Sequence, residues 1–146
     1  MCIGVKCINS QKESFVVFCV YNSPSADKWE FTELLSKLMS QYSEVNIPCL
    51  IVGDMNIDLI KSNRITNKYS DEIRKHGFSQ YVTGATRVTP ESNTLIDHVL
   101  HNNIWPNIEV TVVQTDITDH FGVKVKLPIL TKKKHCLPTT LECLTY

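Results

Sequence analysis

Three polar clusters interrupt the apolar pattern of this chain, each at the end of a predicted strand or inside one. The first is Gly53–Asn56, which follows the apolar run 49–52 directly. Asp54 can take or orient a proton there, and Asn56 can hold a phosphate oxygen or an attacking water. Gly, Asp and Asn are also the commonest turn residues, so an ordinary turn is the competing interpretation.

The second cluster, 94–100, contains an acid that we expect to be buried. Asp97 shares a strand face with Leu95 and Val99. A buried carboxylate without a partner is strongly unfavourable, so Asp97 needs a hydrogen-bond donor. The adjacent His98 points to the opposite face. We therefore expect His98 to be a structural histidine, either hydrogen-bonded or exposed at an edge.

The third cluster, 115–120, precedes the last alternating strand. His120 is the natural partner of Asp97, because a carboxylate on one ring nitrogen fixes the tautomer and leaves the other nitrogen for a phosphate oxygen. Asp119 points elsewhere and can be an oxygen ligand for Mg²⁺. Taken alone, this cluster is more typical of an acidic loop with a capping threonine. Together the three clusters supply the groups that metal-assisted phosphodiester hydrolysis uses.

A sheet with few helices must position these clusters. We expect six strands, at about 3–7, 15–21, 49–52, 94–101, 108–114 and 121–127. We expect two helices, at 28–43 and at about 68–76. Asp27 and Glu30 form a capping box before the first helix, and Gly77 ends the second. Because strands outnumber helices and mostly meet through short turns, the pattern predicts an α+β fold with a mixed or mostly antiparallel sheet.

Composition limits the classes of function. The 146 residues fit one domain, and 15 acidic residues balance 15 basic ones, which excludes a strongly basic coat protein and makes any contact with a polyanion local. The sequence shows neither a secretory signal nor an apolar run of about 20 residues, which predicts an intracellular protein, nuclear or cytoplasmic, without a membrane span. Cys19 and Cys49 lie in apolar runs that we expect to be buried as reduced thiols.

Five segments, in this order, resemble the motifs of the endonuclease/exonuclease/phosphatase superfamily. They are Val20-Tyr21-Asn22-Ser23-Pro24, Gly53-Asp54-Met55-Asn56-Ile57-Asp58, Thr86-Arg87-Val88-Thr89, Thr94-Leu95-Ile96-Asp97-His98 and Thr118-Asp119-His120. They are similar to the tyrosine, GDxN, TR-x-T, LIDH and (S/T)DH motifs. The third and fourth indicate the endonuclease domains of non-LTR retrotransposons rather than phosphatases or phospholipases. The resemblance spans roughly residues 3–127.

The resemblance implies a role for each matching residue. Asp54 would activate the attacking water, Asn56 would align it, and His120, oriented by Asp97, would stabilise charge on the phosphate. The other implied roles are phosphate contact near the scissile bond for Tyr21, substrate binding for Arg87 and Thr118, and metal coordination for Asp119. The family implies Mg²⁺ as cofactor, with Mn²⁺ as a substitute, and the DNA phosphate backbone as partner. Its members cut one DNA strand and leave a 3′-hydroxyl.

Two departures from the family pattern matter. The family carries an Asn and a metal-binding Glu in an N-terminal half that this chain lacks, and its Tyr-Arg-Pro-Pro is here 21–24, which removes a basic contact. We therefore expect the C-terminal half of a four-layer α/β/β/α sandwich, over 1–128, with a loose tail over 129–146. One apolar sheet face would be left uncovered, which favours self-association or a complementing N-terminal half. Two functions stay open: a Mg²⁺-dependent endonuclease impaired by truncation, or a catalytically inactive retroelement remnant or interaction module.

Overall fold

A computed structural model describes residues 1–8, 12–115, 117–127 and 142–145. In these residues the elements are β1 (Cys2–Ile8), β2 (Ser14–Tyr21), α1 (Lys28–Ser43), β3 (Cys49–Asp54), α2 (Arg64–Lys75), β4 (Ser79–Gln80), β5 (Arg87–Val88), β6 (Asn93–Thr94), β7 (Asp97–His101), β8 (Glu109–Val113), β9 (Gly122–Lys126) and β10 (Glu142–Thr145). Neither helix has the length and apolar character that crossing a membrane requires.

The main sheet is mixed, as predicted. Its strand order is β1-β2-β3-β7-β4. Only β2 and β3 run parallel, and α1 lies between them in sequence because a parallel pair needs a long crossover connection. The other neighbours in this sheet are antiparallel. The smaller sheet has the order β10-β9-β8, and β5 pairs with β6 in a short ladder.

Each face of the main sheet has its own apolar core. The two helices cover one face, where Leu35 and Met39 from α1 and Tyr69 from α2 pack on Ile51 and Leu100. The β8–β9 hairpin covers part of the other face. There the buried side chains of the hairpin meet those of the sheet: Val123, Val125 and Leu127 with Phe15, Leu50, Val52 and Val99. The chain therefore folds as an α+β protein, as predicted; the full four-layer arrangement stays a prediction.

The helices begin where side chains cap them. The Asp27 carboxylate accepts hydrogen bonds from the first-turn N–H groups of Trp29 and Glu30, so α1 matches its prediction closely. Helix α2 begins at Arg64, four residues before the predicted start. Asn63 and Thr66 form a reciprocal capping box, and this cap places the start of the helix within the polar stretch 61–68. Gly77, with φ +73°, ends α2 as predicted.

The outer edge of the main sheet is uncovered. Ile3 and Val5 of β1 are 57% and 54% exposed, because the β8–β9 hairpin does not reach this part of the face. Cys19, which pairs with Ile3, is exposed for the same reason, and our prediction that it is buried was wrong. Cys49 is buried, as predicted. The predicted domain limit at 128 and most of the predicted tail lie outside the described residues, although Glu142–Thr145 form a strand beside β9 instead of a loose segment.

Candidate active site

Three of the predicted site residues stand in one row across the main sheet. Tyr21 on β2 pairs with Asp54 on β3, and Asp54 pairs with Asp97 on β7. Register partners on neighbouring strands direct their side chains to the same face. The two carboxylates therefore lie side by side where β3 ends and β7 begins. Like charges placed directly opposite each other destabilise a sheet, so this arrangement needs compensation from other groups.

His120 supplies part of that compensation. Its Nδ1 lies 3.1 Å from Oδ2 of Asp97, so the structure brings together the two residues that the sequence pattern paired. The Asp97 side chain is only 8% exposed, whereas that of His120 is 24% exposed. The buried acid therefore orients the histidine ring, and the more accessible ring can present Nε2 to a ligand.

The Asp54 carboxylate is fixed by the backbone that follows it. Its Oδ1 accepts a hydrogen bond of 2.9 Å from the N–H of Asn56. Asn56 has φ +48°, a left-handed conformation that asparagine tolerates better than most residues. The Asn56 amide donates to the carbonyl of Asn22 at 2.8 Å, and the buried Asn22 amide donates to the carbonyl of Met55 at 3.0 Å. The segment after β3 is therefore tied to the end of β2.

Burial is the main cause that raises the pKa of Asp54. The N–H of Asn56 lowers this pKa in part, the Asp97 carboxylate raises it further, and His120 opposes the rise. The net direction is upward, because half-burial disfavours the charged form of a carboxyl group. A carboxylate with a raised pKa is a better proton acceptor than an exposed aspartate, which suits it to activating a water.

The cluster also has the donor chemistry of a cation site. One oxygen each from Asp54 and Asp97 and one ring nitrogen of His120 all lie within 4.8 Å of one another. Mg²⁺ is usually held by one or two carboxylates, several waters and the phosphate of a substrate. Two neighbouring carboxylates whose mutual repulsion a cation would relieve therefore fit such an ion.

Asp119 is held apart from this group. Its Oδ2 accepts a 2.6 Å hydrogen bond from Nε of Arg87, and both side chains are more than two-fifths exposed. This bond is the main cause that lowers the pKa of Asp119. Arg87 lies beside the histidine through a backbone bridge between Arg87 and His120. The structure thus brings Arg87 to the site, while metal binding by Asp119 stays a prediction.

Tyr21 and Thr118 frame the cluster in different ways. Tyr21 is exposed and lines a cavity of about 200 Å³ together with Asp54 and Asp97. The hydroxyl of Thr118 accepts the N–H of His120 at 3.0 Å and donates to the carbonyl of the same residue at 3.2 Å. Thr118 therefore shapes the turn that presents the histidine, and its substrate-binding role stays a prediction.

His98 does not belong to the site. It is buried, with Nδ1 2.8 Å from the hydroxyl of Tyr69 and Nε2 3.2 Å from the carbonyl of Leu95. Burial lowers the pKa of His98 to about 4, so the ring is neutral at physiological pH. Of the two alternatives considered for His98, the hydrogen-bonded structural histidine is correct and the edge-exposed one is wrong.

Sequence reasoning missed two polar residues that support the site. Asn22 was noted only as part of a degenerate motif, and Thr86 only as part of a longer one; both are buried. A signal existed for each, because asparagine and threonine side chains are suited to binding nearby backbone groups. Nothing in the sequence says which backbone groups they meet.

Residues 2–120 match the Endonuclease/Exonuclease/phosphatase family. The chain belongs to this family. A comparison of the sequence with curated proteins gives no match. The shared chemistry of the family, metal-dependent hydrolysis of phosphoester bonds, agrees with a cluster of two carboxylates and a histidine.

Solved structures of the family have the same fold. The endonuclease domain of TRAS1, a telomere-specific non-LTR retrotransposon, superposes with a TM-score of 0.74 at 12% identity over 89% of this chain and 64% of that domain. The APE2 catalytic domain of Xenopus laevis superposes with a TM-score of 0.60 at 16% identity, over 90% of this chain and 57% of that domain. A mannosyl-6-phosphatase of Bacteroides thetaiotaomicron superposes with a TM-score of 0.59 at 18% identity, over 86% of this chain and 56% of that protein. The chain thus spans under two thirds of each of these structures.

Proposed function

We propose that this protein hydrolyses phosphodiester bonds with Mg²⁺ and nicks one strand of DNA. The observation that carries the proposal is the Asp97–His120 pair beside the half-buried carboxylate of Asp54, with potential ligand atoms within 4.8 Å. The similar TRAS1 domain is described as an endonuclease, which supports DNA as the substrate. We also propose an intracellular location, nuclear or cytoplasmic, for this activity.

The proposed reaction is a displacement at phosphorus. Asp54 takes a proton from a water that Asn56 orients, and the water oxygen forms a bond to phosphorus. The bond between phosphorus and the 3′ oxygen breaks, and the 3′ oxygen takes a proton from solvent. The products are a 3′-hydroxyl and a 5′-phosphate. His120, held by Asp97, acts in its doubly protonated form and donates from Nε2 to a phosphate oxygen as negative charge develops there.

Asp119 is a proposed ligand of the metal, and the charge of the ion would also offset the repulsion between the neighbouring carboxylates of Asp54 and Asp97. When bound, Mg²⁺ supplies positive charge beside the phosphate oxygens, and Mn²⁺ would substitute for it with the same oxygen donors. Because Oδ2 of Asp119 is held by Arg87, this third carboxylate is partly neutralised without a metal.

The substrate contacts are proposed to be local. Tyr21 lies in the cavity beside the carboxylates and would touch the phosphate next to the scissile bond. Arg87 and Thr118 flank His120 and would contact the DNA backbone on that side. A net charge of zero agrees with a few contacts of this kind rather than a broad basic surface.

Nicking of supercoiled plasmid by the purified chain tests the proposal. We expect nicking with Mg²⁺ and none with EDTA, and loss of nicking in Asp54→Ala and His120→Ala. Asp71→Ala is the matched control, because Asp71 is an exposed acid on α2 whose ion-pair partner is Arg74. Circular dichroism on every sample shows whether it is folded. A folded wild-type chain that leaves the plasmid intact would overturn the proposal.

The same experiment separates the alternatives. Release of phosphate from a sugar phosphate without nicking would indicate a phosphatase, the activity in the name of the similar Bacteroides protein. A catalytically inactive remnant or interaction module is favoured by the Arg87–Asp119 ion pair and by the exposed Ile3 and Val5. Gel filtration would detect the proposed self-association, and added N-terminal half-domain of a family member would detect complementation.

A further inference from the structure

Thr86 occupies an unusual place beside the catalytic pair. Its side chain is fully buried, although threonine is more often found at the surface. Its Oγ1 accepts two backbone hydrogen bonds, from the N–H of Ile96 at 3.2 Å and from the N–H of Asp97 at 3.0 Å. A hydroxyl has two acceptor sites, and both are used here for consecutive amides at the start of β7.

The backbone of Thr86 holds the other half of the pair. Its carbonyl accepts a 2.6 Å hydrogen bond from the N–H of Phe121, the residue that follows His120. Its N–H donates to the carbonyl of Thr94 at 2.8 Å, on the strand that leads toward Asp97. One residue therefore bonds both to the segment that carries the acid and to the segment that carries the histidine.

We propose that Thr86 is a positioning residue for the Asp97–His120 pair. Its hydroxyl fixes the peptide planes around Ile96 and Asp97 and thereby the direction of the Asp97 carboxylate. Its carbonyl fixes the position of the His120 segment relative to Asp97. The catalytic consequence rests on the proposed function. The geometric part, that the hydroxyl determines the hydrogen bond between Asp97 and His120, stands independently of any activity.

The proposed role of Thr86 depends on its hydroxyl rather than on the size of its side chain. On the opposite edge of β7, the carbonyl of Ile96 accepts the N–H of Met55, so the β3 side of this segment is already bonded. The Ile96 and Asp97 amides have the Thr86 hydroxyl as their acceptor. Valine has the shape of threonine without an acceptor, and serine keeps the acceptor without the methyl group. Thr86→Val and Thr86→Ser therefore separate hydrogen bonding from packing.

Nuclear magnetic resonance tests the geometric part on the full chain. In Thr86→Val we expect faster hydrogen exchange at the amides of Ile96 and Asp97, and loss of the slowly exchanging ring-proton signal on Nδ1 of His120. Thr86→Ser should keep both signals. Thr32→Val is the matched control, because Thr32 is also buried but bonds only within α1, to the carbonyl of Lys28. A His120 ring signal that is unchanged in folded Thr86→Val would overturn the proposal.

Kinetics test the catalytic part. We expect Thr86→Val to lower kcat for nicking by about tenfold to a hundredfold with little change in KM, and Thr86→Ser to stay within about twofold. In the Asp97→Asn background, Thr86→Val should add almost nothing, since both changes act through the same pair. Fully multiplicative losses would contradict the proposal. If Thr86→Val does not fold, Thr86→Cys, with a weaker acceptor of similar size, replaces it.

These outcomes distinguish the two proposals. A wild-type chain that does not nick DNA but shows the expected resonance changes would reject the proposed function and keep the role of Thr86. Equal nicking of DNA by the wild-type chain and by Thr86→Val would keep the proposed function and reject the role of Thr86 in catalysis.

Discussion

Within the described residues, two clusters join an acid to a histidine, and only one of these two has the properties of an active site. In the cluster on α1 and α2, the Ser36 hydroxyl donates to Glu72 at 2.7 Å and lies 2.8 Å from Nε2 of His76. Lys68 and Lys75 also approach Glu72. Every charged group there has a partner. At the sheet end, the carboxylate of Asp54 is hydrogen-bonded by Asn56 and forms no ion pair within the part of the chain that the structure describes.

The pKa values of Glu72 and Asp54 shift in opposite directions. A hydrogen bond from Ser36 is the main cause that lowers the pKa of Glu72, with the two lysines adding to it. Burial raises the pKa of Asp54 instead. An acid beside a histidine is thus no evidence of catalysis by itself. What distinguishes the sheet end is a carboxylate that folding leaves under-compensated beside an accessible cavity.

The largest expected effect compares alanine variants of the two clusters. Asp54→Ala and His120→Ala should lower the nicking rate by about 10²–10⁴-fold, because each removes a group that acts on the reacting phosphate or water. Glu72→Ala and His76→Ala should stay within about threefold, since they lie outside the cleft. Initial rates under saturating plasmid measure this difference. Equal losses in both clusters would show that the effect is on folding.

The next effect concerns the glycine beside each cluster. Gly53 precedes Asp54 with φ +144°, and an added Cβ would overlap the carbonyl oxygen of Val20. Gly77 follows His76 with φ +73° and open space around it. Urea unfolding should show a loss of about 3 kcal/mol or more for Gly53→Ala and about 1 kcal/mol for Gly77→Ala. A well-folded Gly53→Ala protein would mean that the end of β3 is less constrained than described.

The smallest expected effect is that ionised Glu72 and ionised Asp54 contribute to the stability of the fold with opposite signs. Because the folded-state pKa of Glu72 is lowered, its ionised form stabilises the fold at neutral pH, and that contribution is lost as pH falls below about 4.5. The raised pKa of Asp54 means that its ionised form is penalised at neutral pH and that the penalty disappears as pH falls through the raised pKa.

The matching amide variants measure this difference. At pH 7, Glu72→Gln should lower the free energy of unfolding by about 0.5–1 kcal/mol, whereas Asp54→Asn should leave it unchanged or raise it. Urea titrations at pH 7 and at a pH below the ordinary carboxyl range would show whether both differences shrink. A destabilised Asp54→Asn at pH 7 would contradict the view that this carboxylate is under-compensated.

Much of the fold could be predicted because its signals are local. The spacing of apolar residues and the cap at Asp27 predict α1, and alternation predicts the last strand, where Val123 and Val125 are buried. The start of α2 was placed late, because the capping box of Asn63 and Thr66 is easy to overlook in a polar stretch. The exposure of Cys19 could not be predicted, since it depends on how far the opposing hairpin extends.

The sequence predicted which residues form the site more completely than it predicted the contacts between them. Opposite strand faces for Asp97 and His98, together with the need for a donor, pointed to His120, and the structure places them 3.1 Å apart. The partner of Asp119 was not foreseen, because Arg87 lies 32 positions away and reaches it through a short hairpin. The two amides that meet at Thr86 are equally invisible in sequence, since they depend on where three chain segments cross.

The register between β3 and β7 determines when in folding the site can assemble. Asp54 faces Asp97 in this register, and a slip of one residue would turn Asp97 to the opposite face of the sheet. The third member, His120, comes from a later part of the chain, so no short piece that forms early in folding can assemble the cleft. A nascent or partly unfolded chain would therefore lack the assembled cluster of Asp54, Asp97 and His120. Hydrolysis, once detected, would double as a sensitive assay of correct strand pairing.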